Sequence, residues 1–183
     1  LAGHRYNSML AVTGVGNQYI LSATGGGVTL VPQLWNSYVP ALGDAWTLAT
    51  AEGGVVGTFA ALSLPAAYPA GMSLDVLYGA NAIVSYATPA DYRQVTALGW
   101  SWNPNQSQVA ALWQADRPAQ LAALTADENL VYGTLYTLTG AGLRAAAGQM
   151  SGQLIADSPS GSLELLRGTN RNLAAMLHEE PAA

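Results

Sequence analysis

The pattern of apolar residues changes near residue 103, and this change constrains the fold more than any other feature of the chain. Upstream, short runs rich in β-branched and aromatic residues alternate with Gly, Pro, Asn and Asp, which predicts strands about ten residues apart. The segments between these runs are too short for the helical crossovers of a βαβ fold. The runs are Ser8–Thr13, Tyr19–Thr24, Val28–Val31, Ala45–Thr50, Val55–Phe59, Ser73–Tyr78 and Ala82–Ala87.

Downstream of residue 103 the sequence predicts helices. Asn105 is a candidate N-cap for a helix over residues 106–115, because its side chain can accept a hydrogen bond from the first turn. Pro118 breaks or restarts that helix, since proline has no amide hydrogen to donate. Asp127 and Glu128 then place two acids in the first turn of a second helix, where the helix dipole favours negative charge.

The end of the chain adds a third helical segment, over residues 140–153, and a final segment with a leucine stripe. The stripe repeats at alternating spacings of three and four residues, which places it on one face of a helix. A lone helix of this length is marginal in water, so the stripe needs a partner surface. We expect another protein chain there, with the β part and the preceding helices as the intrachain alternatives. The stripe residues are Leu163, Leu166, Leu173 and Leu177, with Asn170 as the polar member between the second and third leucines.

Composition excludes several classes of protein. Only 9% of the residues are charged, and 11 acids against 6 Arg and Lys give a net charge of −5. Binding to a nucleic-acid backbone needs clustered Lys and Arg, so we expect no nucleic-acid partner. The absence of Cys excludes disulfides, thiolate catalysis and zinc–thiolate sites. The two His, His4 and His178, are at opposite ends of the chain, so we expect no metal and no cofactor.

No stretch of the sequence has the pattern of a transmembrane helix. A bilayer requires about 20 continuous apolar residues. The charge-free run over residues 6–43 is interrupted by several Gly and by Pro32, and the run over residues 53–74 is interrupted by Pro65 and Pro69. We therefore expect no transmembrane segment in this chain.

Candidate catalytic groups are few. Asp44, Glu52, Asp75 and Asp91 are the only acids upstream of residue 103, and their spacing gives no reason to pair any two for glycoside hydrolysis. Ser73 has no His near it in the sequence for a Ser-His-Asp site. The sequence therefore predicts no catalytic residue and a protein that is not an enzyme, with a hydrolase as a minor alternative.

Aromatic residues form the remaining candidate site. Trp100 and Trp102 share one face if the chain is extended, and with Trp113 they could stack against a glycan. The alternative is that these rings cover the end of the β part or dock the first helix. An extracellular module that binds glycans or a surface protein through exposed Trp and Tyr is therefore a second hypothesis. Phe59, the single Phe, lies between strands and is expected to be buried.

Residues 40–87 carry a resemblance to a known family. A Gly-Asp pair ending at Asp44 precedes a strand over residues 46–50, a Val-x-Gly-x-Phe turn ends at Phe59, and a later strand ends in Tyr78. This order resembles the C-terminal passenger region of bacterial autotransporters, the proteins of type V secretion. Further similarity, to the family's recurrent rung and to its helical linker, is found at Tyr6–Gly14, Asn103–Gln106 and Ala147–Gln153.

The resemblance implies a mainly β N-terminal part, made of right-handed parallel β-helix rungs with a cap, followed by an α-helical C-terminal part. Residues 1–102 would be the β-helix end and autochaperone-like cap, and residues 103–183 the helical linker, without the membrane barrel. The implied function is a non-enzymatic structural and folding module that caps a β-helix and supports passenger folding and assembly. It would lie at the extracellular or outer-membrane surface of a Gram-negative bacterium. Its C-terminal helices would contact another protein chain or a membrane barrel.

Overall fold

The structure is a computed structural model that describes residues 10–14, 16–21, 27–34 and 37–151. In these ranges all strands end by residue 89 and all α-helices begin after residue 103, with one short 3₁₀ turn between them. The strands are β1 (Leu10–Val12), β2 (Tyr19–Leu21), β3 (Thr29–Leu30), β4 (Ala45–Ala51), β5 (Val55–Gly57), β6 (Ala61–Leu62), β7 (Met72–Tyr78) and β8 (Ala82–Pro89). The α-helices are α1 (Pro104–Ala115), α2 (Ala126–Leu135) and α3 (Gly140–Met150).

The described strands form three small sheets. The largest has four strands in the order β1-β4-β8-β7, and the other two are the pairs β2-β5 and β3-β6. β1, β2 and β3 pair in parallel with β4, β5 and β6, in that order along the chain. β8 is antiparallel to both of its neighbours, β4 and β7.

This arrangement corrects the predicted fold class. The predicted right-handed parallel β-helix with a cap is wrong for the β part of this chain, because the described strands form small sheets and the largest of them is mixed. The physical reason lies at the tight turn between β7 and β8, where the Gly79 amide donates to the Ala82 carbonyl at 2.8 Å. So short a connection can only reverse the chain into an antiparallel pair.

The β7–β8 hairpin separates two hydrophobic cores. Neighbouring residues of a strand point to opposite faces, so Val76 and Leu77 face different sides of the sheet. Val76 and Ile83 belong to one core, whereas Leu77 and Tyr86 pack against the other. Because both faces are covered, nearly the whole of β7 is buried despite its position at the end of the sheet.

The first core, called here the aliphatic core, lies on the strand side of the hairpin. Its buried members are Leu21, Ala49, Phe59, Val76, Ile83 and Leu121. The prediction that Phe59 is buried is confirmed. Its amide donates to the Tyr78 hydroxyl at 3.0 Å, and the two rings lie 6.3 Å apart.

The second core, called here the aromatic core, lies between the hairpin and the helices. Its buried members are Tyr92, Val109, Ala110, Trp113, Tyr132, Leu135, Tyr136, Leu143 and Ala147. Four of them are aromatic, and three of these four are tyrosines with a hydroxyl group to satisfy.

Side-chain caps fix where the helices begin. Asn103, rather than the predicted Asn105, caps α1, because Pro104 is preorganised for the first helical position and Gln106 completes a capping box. Thr125 caps α2 in the same way, and the two predicted acids do lie in its first turn.

Within the described ranges, none of the helices has the length and hydrophobicity needed to cross a bilayer. The longest of the three, α1, has 12 residues. A helix spans the hydrocarbon region with about 20 residues.

Candidate functional site

A buried polar cluster joins the β7–β8 hairpin to the segment that follows α1. Asp75 of β7, Thr88 of β8 and Arg117 form this cluster, which we call the polar latch. One guanidinium nitrogen of Arg117 donates to the Asp75 carboxylate at 2.5 Å and to the Thr88 hydroxyl at 3.2 Å. The Thr88 hydroxyl donates to the same carboxylate oxygen of Asp75 at 2.7 Å.

The second terminal nitrogen of Arg117 is also occupied. It donates to the carbonyl oxygens of Pro89 and Ala90, at 2.9 and 3.1 Å. The guanidinium carbon lies 5.0 Å from the centre of the Tyr92 ring, which is within cation–π range. All of these contacts are internal, so the latch leaves Arg117 little capacity to bind a ligand.

Burial and charge act in opposite directions on Arg117. Desolvation is the largest influence and disfavours the charged guanidinium, but the charge of Asp75, the hydrogen bond to it and the nearby Tyr92 and Tyr136 together outweigh desolvation, so the pKa of Arg117 is raised above its usual value. The two side chains are 10% and 3% exposed, so the pair is largely removed from water. Such a pair fixes geometry, because removing either partner leaves the other charge buried.

Two buried polar atoms of the aromatic core have no hydrogen-bond partner among the described residues. These are the Tyr92 hydroxyl and the indole nitrogen of Trp113, and their rings meet edge to face at 5.9 Å. In contrast, the Tyr132 hydroxyl donates to the Trp113 carbonyl at 2.7 Å. Burial raises the pKa of Tyr92 well above its usual value, and burial likewise raises the pKa of Tyr132 to about 12.

The three tryptophans of the predicted glycan contact lie together. The Trp100 and Trp102 rings meet at 4.4 Å and 87°, and the Trp102 and Trp113 rings at 6.3 Å and 73°. Trp113 is buried, whereas the other two are half-buried. The Trp102 indole nitrogen donates to the Tyr92 carbonyl at 2.7 Å. These edge-to-face contacts favour packing, although the aromatic contact with a ligand stays a prediction.

One shallow cleft lies beside Trp100. It has a volume of about 470 Å³ and is lined mainly by apolar residues, among them Leu42, Met72 and Leu98. Arg144 of α3 is exposed, and its guanidinium carbon lies 5.5 Å from the centre of the Trp100 ring. A half-buried tryptophan and a cation therefore both line this solvent-exposed cleft.

The acids considered as catalytic groups have structural partners. Asp44 is buried and accepts hydrogen bonds from the Tyr38 hydroxyl and the Ala41 amide. Glu52 accepts a hydrogen bond from the Gly14 amide at 2.8 Å. In the part of the chain that the structure describes, no three His, Asp or Glu side chains are grouped to hold a metal ion.

The residues predicted to pack against a partner lie beyond the part of the chain that the structure describes. Leu163, Leu166, Leu173 and Leu177 lie outside the described residues, which end at residue 151. Their contact with another protein chain therefore stays a prediction.

Sequence reasoning missed Arg117, although a signal for it exists. Asp75 lies in the centre of an apolar strand, between Leu74 and Val76, and such a carboxylate is rarely buried without a cation. Few cations are available, because the chain has only 6 Arg and Lys. The signal says that a partner must exist, but it does not say which Arg supplies it.

Comparison with known proteins does not identify a family. The chain matches no protein-family model, and no curated protein or solved structure is similar enough to count as a match. The resemblance to autotransporter passengers therefore stays a prediction from the sequence. The features that bear on function are the polar latch, the two hydrophobic cores and the cleft beside Trp100.

Proposed function

We propose that this chain is a non-enzymatic structural and folding module of a bacterial cell-surface or secreted protein of the autotransporter kind. The observation that carries the proposal is the polar latch. Within the described residues, the contacts of the buried Asp75 and of the largely buried Arg117 are all internal, and they join the last hairpin of the sheets to the helical part. Strong polar groups that act within the fold favour a role in holding structure over a role in chemistry.

The resemblance at residues 40–87 supports the location of this module. The type V passengers that it resembles are exported to the extracellular or outer-membrane surface of Gram-negative bacteria, and the module would act there on passenger folding and assembly. The leucine stripe, from Leu163 to Leu177, would supply the contact with another protein chain.

A passenger-replacement experiment tests the folding role. The C-terminal passenger region of a secreted type V protein is replaced by this chain, and protease-resistant passenger at the cell surface is measured. We expect folded passenger with the native sequence and little with Arg117→Ala, which breaks the latch. Arg93→Ala is the matched control, since it removes an Arg whose salt bridge is exposed. A native chain no better than a deletion of the region would refute the proposal.

The cleft beside Trp100 favours one second candidate, an extracellular module that binds glycans or a surface protein. Its mainly apolar lining and the adjacent Arg144 offer stacking and hydrogen bonding at one place. Tryptophan fluorescence titrated with cell-surface glycans tests this candidate. A saturable change that is lost in Trp100→Ala, but kept in a variant such as Leu112→Ala on the exposed side of α1, would favour binding over the folding role.

A further inference from the structure

A polar cavity lies between β7, the C-terminal end of α1 and the segment that follows α1. Its volume is about 320 Å³, which is at the small end of the range for sites that bind small molecules. It shares no lining residue with the cleft beside Trp100. The residues that line it, most of which have polar side chains, are Ser73, Ala90, Gln114, Arg117, Pro118 and Gln120.

The two glutamines of the cavity are oriented by hydrogen bonds to the backbone. The Gln114 side-chain oxygen accepts from the Tyr92 amide at 3.0 Å, and the Gln120 side-chain nitrogen donates to the Leu74 carbonyl at 3.3 Å. A backbone amide only donates and a carbonyl only accepts, so these partners determine which end of each carboxamide they hold. The NH₂ group of Gln114 and the side-chain oxygen of Gln120 are left without a hydrogen bond among the described residues.

The Ser73 hydroxyl adds a second donor to this set. It accepts a hydrogen bond from the Gln120 side chain at 2.7 Å, and within the described ranges its own hydrogen has no acceptor. Ser73 is only 8% exposed, and a polar group removed from water gains from a partner. The cavity therefore offers donors from Gln114 and Ser73 and an acceptor from Gln120.

The charges beside the cavity are already paired. Arg117 is part of the lining, but its terminal nitrogens donate to Asp75, Thr88 and the carbonyls of Pro89 and Ala90. The Asp75 carboxylate balances the guanidinium charge at 2.5 Å. The cavity therefore has no unpaired charge with which to attract an ion. A hydroxyl group both donates and accepts, so a neutral molecule with several hydroxyls matches this mixed set.

We propose that the cavity is a binding site for one neutral sugar unit. Its volume equals that of roughly ten water molecules at about 30 Å³ each, and a hexose, with about twelve non-hydrogen atoms, is a ligand of similar size. The polar latch and the buried Leu121 hold the chain on both sides of Gln120, so the site is preformed and binding requires little ordering. This proposal does not depend on the proposed folding role.

An NMR titration of the full native chain tests the proposal, with D-glucose, D-galactose and D-mannose as the probes. We expect at least one of these sugars to shift the side-chain NH₂ signals of Gln114 and Gln120 saturably. The dissociation constant should be on the order of millimolar, because so small a ligand makes few contacts. The absence of a saturable shift at both glutamines with all of these sugars would overturn the proposal.

A charge-matched pair of variants tests whether the shift reports binding in the cavity. Gln114→Glu keeps an oxygen for the Tyr92 amide but replaces the donor NH₂ group by an acceptor, and it should weaken sugar binding at least about tenfold. Gln108→Glu makes the same change at an exposed position of α1 outside the cavity, and it should bind as the native chain does. Equal affinities of the two variants would overturn the proposal.

The remaining outcomes are also decisive. A saturable shift of the Trp100 indole signal alone would place the sugar in the cleft, which overturns this site and favours the second candidate function. A response to inorganic phosphate without a response to sugars would show an anion site and would overturn the proposal. If circular dichroism shows Gln114→Glu to be unfolded, Ser73→Ala replaces it with the same expectation. Failure of sugar binding leaves the passenger-replacement result unchanged, so the two proposals fail separately.

Discussion

The aliphatic core and the aromatic core are built from the same hairpin but depend on different interactions. The aliphatic core is filled by residues such as Ile83 and Phe59, whose side chains have no polar atoms to satisfy. The aromatic core is filled by Tyr92, Trp113 and Tyr132, which bring hydroxyl and indole groups into the interior. Burial alone stabilises the first, whereas the second also depends on whether each polar atom meets a partner.

This difference explains why the latch lies where it does. Asp75 points to the aromatic side of the hairpin and Val76 to the aliphatic side, so the carboxylate lies among groups that can hydrogen-bond to it. The cost of burying Asp75 and Arg117 is offset only while both are present. Replacing a single polar residue should therefore destabilise the helical part, whereas it should leave the aliphatic core unaffected.

Breaking the latch should have the largest effect. We expect Arg117→Ala to lower the free energy of unfolding by about 3–5 kcal/mol, because it leaves the Asp75 carboxylate buried without its cation. Urea denaturation followed by far-UV circular dichroism measures the loss.

Two controls sharpen that result. Arg93→Ala removes an Arg–Asp contact of 2.7 Å in which the Arg side chain is 57% exposed, and it should lower the stability far less than Arg117→Ala, because solvent screens an exposed pair. The double variant Asp75→Leu with Arg117→Met should recover most of the stability, since apolar residues can replace a buried pair. A loss as small for Arg117→Ala as for Arg93→Ala would show that the latch does not hold the two parts together.

The aliphatic core should respond to lost volume instead. Phe59→Ala is expected to cost about 3 kcal/mol, at the low end of the range for buried Phe, since part of the ring remains near the surface. Ile20→Ala is the matched control on the outer face of β2, where Ile20 is 57% exposed, and it should change stability by less than about 0.5 kcal/mol. Equal losses for the two variants would place Phe59 outside the core.

The sequence predicted the positions of the strands better than it predicted which strands pair. The run Ser73–Tyr78 contains six of the seven residues of β7, and the run Ala82–Ala87 lies within β8. Turn residues and β-branched residues are local signals, so they mark where a strand ends. Pairing depends on contacts between distant residues, such as Leu10 with Ala49, and a resemblance to β-helical passengers supplied the wrong arrangement.

The sequence predicted less of the candidate site than of the fold. Asp75 and Arg117 are 42 residues apart, and no sequence pattern links an acid in a strand to an Arg in an irregular segment. Leu121 is a similar case, since its leucine identity argues for a helix or strand while its φ of 66° places it in neither. Tertiary packing decides such positions, because the buried contacts outweigh local preference.

A pair of tyrosine variants compares satisfied and unsatisfied hydroxyls within the aromatic core. Tyr132→Phe should cost about 1–3 kcal/mol, because it leaves the Trp113 carbonyl without its donor. Tyr92→Phe should be neutral or slightly stabilising, since the buried Tyr92 hydroxyl has no partner to lose in the part of the chain that the structure describes. Thermal and urea unfolding of both variants measure the difference. Equal losses would indicate that a buried water satisfies Tyr92, and the two cores would then differ less than we infer.

The smallest expected effect concerns the capping boxes of α1 and α2, which differ in one respect. Gln106 completes the box of α1 and cannot titrate, whereas Glu128 completes that of α2 and accepts hydrogen bonds from the Thr125 amide at 2.7 Å and hydroxyl at 2.9 Å. The bond from the Thr125 amide lowers the pKa of Glu128 below its usual value of 4.5.

A lowered pKa in the folded state fixes the direction of the pH dependence. The contribution of Glu128 is fully present above its unfolded pKa, near 4.5, and is lost as the pH falls through the lower folded pKa. Glu128→Gln converts the box of α2 to the type that α1 uses. Urea midpoints of the native chain and this variant should therefore differ slightly at pH 7, and the difference should shrink as the pH is lowered below 4.5, because other acids titrate equally in both. A difference that persists unchanged at pH 3 would show that the carboxylate charge does not support the cap of α2.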